Sequence, residues 1–388
     1  MQDRLLIIGA GFSGAVLARE LAEAGDFEID VVDARDHLAG NCHTERDPST
    51  GIMLHRYGPH VFHTRSQRVW DYVNRHGRFR PYVSRIKACT SQGVFPLPIN
   101  LQTINQFFGQ VFSPAEARAH LQSLAIHGDG PPQNFEEVAL SLLGRELYQT
   151  FILGYTLKQW GCAPSELPSS IFRRLPLRFD YDDNYHDATH QGIPEEGYTS
   201  VIQSLLSHPR ISVELRREMP PGELLAARQH YRHVFYTGPI DAFFEHSLGH
   251  LSYRTVTFER IDCMGDHQGC AIMNYPGLEV PYTRVHEHKH FMPWETHDRT
   301  VAFREYSHET GPADIPYYPK RLQRDKEMMG RYRGLAEAVD QVSFLGRLAT
   351  YRYLDMDRVV EEALDFAEAF MSSQRTGRRA PTFPETYA

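Results

Sequence analysis

The chain opens with an apolar run, Leu5-Leu6-Ile7-Ile8. The run stops at Gly9-Ala10-Gly11-Phe12-Ser13-Gly14, and Ala15, Val16, Leu17, Ala18 and Leu21 then follow at helical spacing. A second apolar run, Ile29-Asp30-Val31-Val32, ends at Asp33. Strand, Gly-x-Gly-x-x-Gly turn, helix and strand in this order predict a βαβ unit that binds a dinucleotide. Gly9 permits the tight turn, Gly11 lets the backbone approach a pyrophosphate at the helix N-terminus, and Gly14 lets helix and strand pack closely. Asp33 lies about 20 residues beyond the last glycine, where an acid takes a ribose diol.

Farther on the period changes. From about 78 to 165 the pattern is helical. Ser113-Pro114 and Asn134-x-x-Glu137 mark helix starts. Val234-Phe235-Tyr236 reads as a strand returning to the first domain, and residues 252–303 favour strands. A helix opens near Asp357, and the chain is polar from Ser372. The expected fold is α/β: a discontinuous Rossmann-like dinucleotide-binding domain (1–77, 190–245 and 318–371). Into it are set a helical bundle domain (78–165) and an antiparallel β-sheet domain (166–189 and 246–317). A mobile tail (372–388) closes the chain.

Composition narrows the partners. With 41 Lys+Arg against 49 Asp+Glu the net charge is −8, which gives no general reason to expect nucleic acid or an anionic membrane. Local arginines must bind any anionic substrate. Five scattered cysteines without a CxxC pair point to reduced thiols and a cytoplasmic setting. No apolar run approaches the roughly 18 residues of a membrane span, and the first strand follows Met1-Gln2-Asp3-Arg4 too closely for a signal peptide.

Candidate chemistry falls in four places. Tyr148, Phe151 and Tyr155 share a helix face and read either as core or as a base-stacking surface. Arg173, Arg174 and Arg178, with Arg284 far along the chain, suit a diphosphate or a solvated surface. His286, His288 and His290 would share a strand face and allow a metal test. Tyr57-Gly58-Pro59-His60-Val61-Phe62-His63 is a Gly/Pro turn bearing two histidines. No Gly-x-Ser-x-Gly or Walker sequence is present.

Taken together these stretches resemble the bacterial UDP-galactopyranose mutases. The resemblance rests on the glycine turn, His55–Thr64, Gly154-Tyr155-Thr156-Leu157-Lys158-Gln159-Trp160-Gly161, Asp183-Asn184-Tyr185, Val280–Arg284, Glu287-His288-Lys289-His290-Phe291, Pro316–Pro319 and Gly346-Arg347-Leu348-Ala349. It implies an isomerase that interconverts UDP-galactopyranose and UDP-galactofuranose for cell-surface polysaccharide. It implies FAD that is active when reduced, with flavin N5 attacking the anomeric carbon and no net redox change. It also implies an NAD(P)H-linked or other reductant and a homodimer or higher homo-oligomer.

Carried over by residue, Arg174 and Arg284 match the diphosphate arginines, and His60 and His63 the loop against the flavin. Phe151, Tyr155 and Trp160 match the uracil site; Tyr185, Asn274, Tyr318, Tyr353 and Asp355 match substrate contacts. Gly9, Gly11, Phe12, Ser13, Gly14, Asp33, Ala34, Gly40, Asn41, His60, Arg347 and Asp355 match cofactor contacts. The family gives the three strand histidines no metal role. Ala39 departs from the glycine usual in such flavoproteins. Two other readings compete: an amine-oxidase-like flavoenzyme, and a non-catalytic UDP-sugar binding flavoprotein.

Overall fold

The computed structural model describes residues 3–25, 27–172 and 177–385. The first strand, Arg4–Ile8, sits inside a five-stranded parallel sheet. Glu28–Asp33 and then Ile211–Leu215 lie on one side of it, and His233–Tyr236 and then Val342–Phe344 on the other. Both faces of the central strands are covered, which is why residues 5–8 and 234–236 read as unbroken apolar runs, whereas the edge strand Ile211–Leu215 is largely exposed. Leu5 and Ile7 pack under the helices Phe12–Ala24, Gly197–Leu206 and Met356–Thr376. Leu6, Val234 and Phe344 pack under Pro221–Ala227 and Gln323–Glu337.

The second sheet has seven strands, from one edge Tyr318–Pro319, Tyr253–Met264, Arg299–Glu309, Arg284–Glu287, Ile272–Asn274, Ile86–Thr90 and Gly93–Leu97. It is antiparallel except where Ile272–Asn274 runs parallel to Ile86–Thr90. Helices Leu101–Phe108, Pro114–Leu124 and Phe135–Leu147 pack together over Phe95, Ile104, Leu121 and Leu143. Ser113 caps the second of them in a full capping box with Glu116.

Three expected boundaries shift. Residues 78–97 are strands, and the helices begin only at Leu101; Ile86, Ala88 and Phe95 bury one face of a hairpin that was too short to read as a period. The described residues of 166–189 (166–172 and 177–189) hold the short helix Ser169–Phe172 and no strand, and Tyr318 is a strand residue of the second sheet. The tail is not loose over its described length. The last helix runs to Thr376; Thr382 O and Pro381 O accept from Phe344 N (2.8 Å) and Ser343 Oγ (2.6 Å). Phe383 is buried against the Phe344 ring at 5.6 Å. One aromatic anchor and two backbone bonds dock a segment whose polar composition concealed them.

Candidate active site

The glycine turn closes as the sequence requires. Gly9 adopts φ +110°, its N–H donates to Val32 O at 2.8 Å, and a Cβ there would meet Thr237 Oγ1 at 2.0 Å. Phe12, Ser13 and Gly14 open the helix that follows and are buried under it. Its N-cap is Gly11, with no side-chain cap and no atom within 4 Å of where a Cβ would stand, so the helix start is uncapped and the backbone at Gly11 is open to close approach. Asp33 braces the turn, with Oδ2 accepting from Ala10 N at 2.8 Å and Oδ1 from Arg35 N at 2.9 Å. Ala34 beside it is exposed.

The segment 39–42 folds back over the turn: Ala39 N donates to Ala10 O at 2.9 Å, and Gly40 lies against Gly11. Ala39 itself has φ +75°, which explains the preference for glycine there. Asn41 Oδ1 accepts from Arg35 at 2.7 Å, and Arg35 NH1 is buried with no partner. An uncapped helix start, an open cradle at Gly11 and an unmatched buried guanidinium nitrogen fit the diphosphate of a dinucleotide.

The second half of the site is a row across three strands. Asn274 pairs in register with Arg284, and Arg284 with Glu305, so the three side chains share one face of the sheet. Arg284 Nε donates to Glu305 Oε2 at 2.9 Å, and Glu305 is fully buried. Burial works against the Arg284 charge, but Glu305, Tyr155 and Tyr318 together outweigh it and keep the guanidinium protonated. His286 also approaches Glu305, Nε2 to Oε2 3.3 Å; burial first, then Arg284, drive its pKa far down, so the imidazole is neutral. The Asn274 amide oxygen is buried without a partner. Glu305 was missed by the sequence reading; an acid on the apolar face of Val301-x-Phe303-x-Glu305 was the available signal.

A cavity of ≈ 100 Å³ opens beside this row, and its walls include Phe151, Tyr155, Tyr185 and Asn274. Phe151 is shared between this wall and the helical core, where it meets Phe95 edge-on at 5.2 Å. Tyr155 lies near Arg284; burial pushes its phenol pKa upward. Tyr148 does not join them. A π-helical stretch, Tyr148–Leu153, breaks the expected phase, and Tyr148 bonds Glu136 at 2.8 Å in the helical core. Trp160 does not line the cavity; it ends its helix and packs into the same core. The following helix, Gly154–Trp160, can lie against the 275–282 loop because Gly154 has no Cβ, which would meet Pro276 O at 2.3 Å.

Tyr318 and Tyr353 stack at 5.7 Å, and Arg347 lies over both rings, 5.8 and 5.3 Å from their centroids. Arg347 also donates to Leu354 O at 2.6 Å. Burial pushes the Tyr318 phenol up to about 12, against the pull of Arg284. His60, with Nδ1 2.8 Å from Gly58 O, lies near Arg347 and Arg284; burial and then Arg347 bring it down to about 4, so it is neutral at pH 7. His63 stacks instead on His186 at 3.8 Å. Asp355 stands at the N-cap position of the closing helix, two residues after Tyr353, with no side-chain cap bond. Arg173 and Arg174 lie outside the described residues.

The three strand histidines cannot act jointly. The strand ends at Glu287 and His288–Phe291 turns in a 3-10 helix, which breaks the alternation. A larger cavity, ≈ 490 Å³, flanks Asp30 and Glu223, but these acids already pair with Arg4, Tyr231 and Arg217.

Fold and site define an α/β enzyme with a dinucleotide-binding domain beside a cleft lined by aromatic side chains. Residues 7–76 match the NAD(P)-binding Rossmann-like domain, and residues 150–353 match the family described as UDP-galactopyranose mutase. The chain belongs to that family of isomerases. It is 51% identical to a probable UDP-galactopyranose mutase of Klebsiella pneumoniae, over 98% of this chain and 97% of that one. It is 46% identical to the dTDP-fucopyranose mutase of Escherichia coli, over 96% and 100%. A crystal structure of reduced UDP-galactopyranose mutase, 15% identical and covering 100% of both chains, superposes with a TM-score of 0.78. Amine oxidases are only distant relations. Among the described residues, no helix is long and apolar enough to cross a membrane.

Proposed function

We propose that the chain binds FAD, acts when that flavin is reduced, and interconverts UDP-galactopyranose and UDP-galactofuranose. The observation that carries this reading is the Asn274–Arg284–Glu305 row. Its Asn274 lines a ring-sized cavity walled also by Phe151, Tyr155 and Tyr185, and its charged Arg284 lies near Tyr155, Tyr318 and His60. Reduced flavin supplies the nucleophile that lets UDP leave the anomeric carbon and return.

The chain's own residues do the rest. Gly9, Gly11, Phe12, Ser13, Gly14, Asp33, Ala34, Gly40 and Asn41 hold the cofactor's dinucleotide part. Neutral His60, on the loop that also carries His63, would face a bound flavin, and Arg347 would contact it beside the substrate. Phe151 and Tyr155 take the uracil. Tyr185, Tyr318, Tyr353, Asn274 and Asp355 position sugar and diphosphate. Arg284, kept charged by Glu305, meets the diphosphate as charge builds on the leaving group, and Arg174 is its partner from the 173–176 segment. Two arginines disfavour a cationic amine substrate.

The same reading places the enzyme in the cytoplasm as a homodimer or higher oligomer, fed by an NAD(P)H-linked or other reductant and supplying cell-surface polysaccharide. The test sets UDP-galactopyranose and dTDP-fucopyranose side by side on the reduced protein. The reading predicts a kcat/KM at least tenfold higher for the UDP sugar, about 1.4 kcal/mol of discrimination. The reverse preference would assign the chain to the dTDP sugar.

A further inference from the structure

Asp241 lies in the short helix Ile240–Phe243, four residues after Thr237, whose hydroxyl donates to Ile8 O (2.8 Å) beside the glycine turn. The next loop returns two histidines to it. His246 N donates to Asp241 O at 2.8 Å, and His246 Nδ1 lies 3.3 Å from Asp241 Oδ2. The His246 and His250 rings stack at 4.0 Å. One ligand atom from each of the three residues lies within 4.8 Å of the other two. The loop is held from behind, with Tyr332 Oη accepting from Leu248 N at 3.1 Å and donating to Gly249 O at 2.6 Å.

Asp241 is 2% exposed, and its Oδ1 is buried with no hydrogen-bond partner. Its Oδ2 accepts from Leu251 N (3.0 Å) and meets His246 Nδ1 at 3.3 Å, so the unmatched atom is Oδ1. A buried carboxylate oxygen left unmatched costs about 1–3 kcal/mol, more for a charged group, so the arrangement is incomplete as a simple ion pair. In the second cluster found among the described residues, Asp266, Glu287 and His290, His290 Nε2 is buried without a hydrogen-bond partner, but the carboxylates are already engaged. Glu287 already accepts from His267 N, Gln268 N, Gly269 N and Thr300 Oγ1, and Lys289 pairs with Asp266.

We propose that Asp241, His246 and His250 form a binding site for a first-row transition-metal cation of the Zn²⁺ class. Two imidazole nitrogens and one carboxylate oxygen are the donors such ions select, whereas Mg²⁺ and Ca²⁺ take oxygen cages. Metal–ligand bonds of about 2.0–2.2 Å place neighbouring ligand atoms roughly 3.0–3.5 Å apart. The Asp241–His246 pair already stands at 3.3 Å. His250, on the exposed side, turns in to complete the set and leaves the outer position to water. The bound ion staples the 244–251 loop to the short helix Ile240–Phe243, a few residues after the strand His233–Tyr236, and takes no part in turnover.

The test uses the untagged full chain, stripped with EDTA and titrated with ZnCl₂ by calorimetry, and with CoCl₂ by visible absorption. One ion per chain is expected to bind, with a cobalt d–d band and a zinc-dependent rise in melting temperature. His250→Ala and His246→Ala each weaken binding at least about tenfold and abolish the zinc-dependent rise. Circular dichroism and flavin content checked in His250→Ala separate loss of the site from loss of the fold. Absence of saturable one-to-one binding by wild type, or binding unchanged in both variants, overturns the proposal.

Discussion

Lys158 is the perturbation that tests how the cleft is assembled. Its Nζ donates to Tyr275 O and Gly277 O at 2.6 Å, to Tyr282 O at 2.8 Å and to Val280 O at 3.1 Å. Three protons thus serve four carbonyls, and the loop between Asn274 and Arg284 is wrapped around one ammonium. Hydrogen bonds to a charged group contribute about 1.5–3 kcal/mol each, so three give about 5 kcal/mol or more before costs. Burial opposes them, bringing the ammonium down to about 8 despite Glu279. A net of about 3 kcal/mol held in this loop corresponds to about a 150-fold change in its open population.

Lys158→Met keeps most of the stem's volume and removes the donor. Hydrogen exchange at two reporter amides reads the result: Tyr275 N, bonded to Thr283 O at 2.9 Å, and Thr283 N, bonded to Glu305 O at 2.8 Å. Exchange there should accelerate about 100-fold, while amides of the parallel sheet stay unchanged. The kcat/KM should fall by about 10- to 100-fold, because Asn274 and Arg284 bound the loop. Lys158→Arg should rescue little, since a planar fork cannot face four converging carbonyls. Exchange within threefold of wild type at both amides would refute the clamp.

Arg284→Ala should lower kcat/KM at least about 100-fold and destabilise by about 3–5 kcal/mol, because Glu305 is left buried and unpaired. Adding Glu305→Gln should restore the melting temperature but not the activity; wild-type turnover in Arg284→Ala would remove it from the site. Asp47 accepts from Arg260 at 2.6 Å and from Ser49 and Thr50, and Arg260 above all holds its carboxyl well below the usual range. Its stabilisation is therefore full above the unfolded pKa of about 3.9 and is lost as pH falls below it. Wild type should lose stability more steeply than Asp47→Asn below pH 4, by up to about 1.4 kcal/mol per pH unit, in urea titrations at stepped pH; equal slopes would contradict this. Phe383→Ala should cost about 3 kcal/mol in the same urea assay, and an unchanged midpoint would mean that the tail does not pack.

Legibility in the sequence followed the range of the interaction. The glycine turn and the alternating Leu5, Leu6 and Ile7 are local, and spacing alone revealed them. Tyr155 and Arg284 stood out because they lie in distinctive short motifs. The Asn274–Arg284–Glu305 row depends on register across three strands from positions 274 to 305, which no local pattern encodes. Lys158 was visible but its role was not, since its acceptors are backbone carbonyls and carry no residue signature. Helical phase failed at Tyr148 because the π-helical stretch adds a residue to the turn. The 86–97 hairpin and the docked tail were hidden by short strands and by polar composition around one buried phenylalanine.

The most direct test of the whole account is turnover of UDP-galactofuranose under anaerobic conditions, with and without dithionite, scored by chromatography for UDP-galactopyranose. The account predicts conversion by the reduced protein, little by the oxidised protein, and loss of conversion in Arg284→Ala. No conversion by fully reduced, FAD-loaded protein would contradict it.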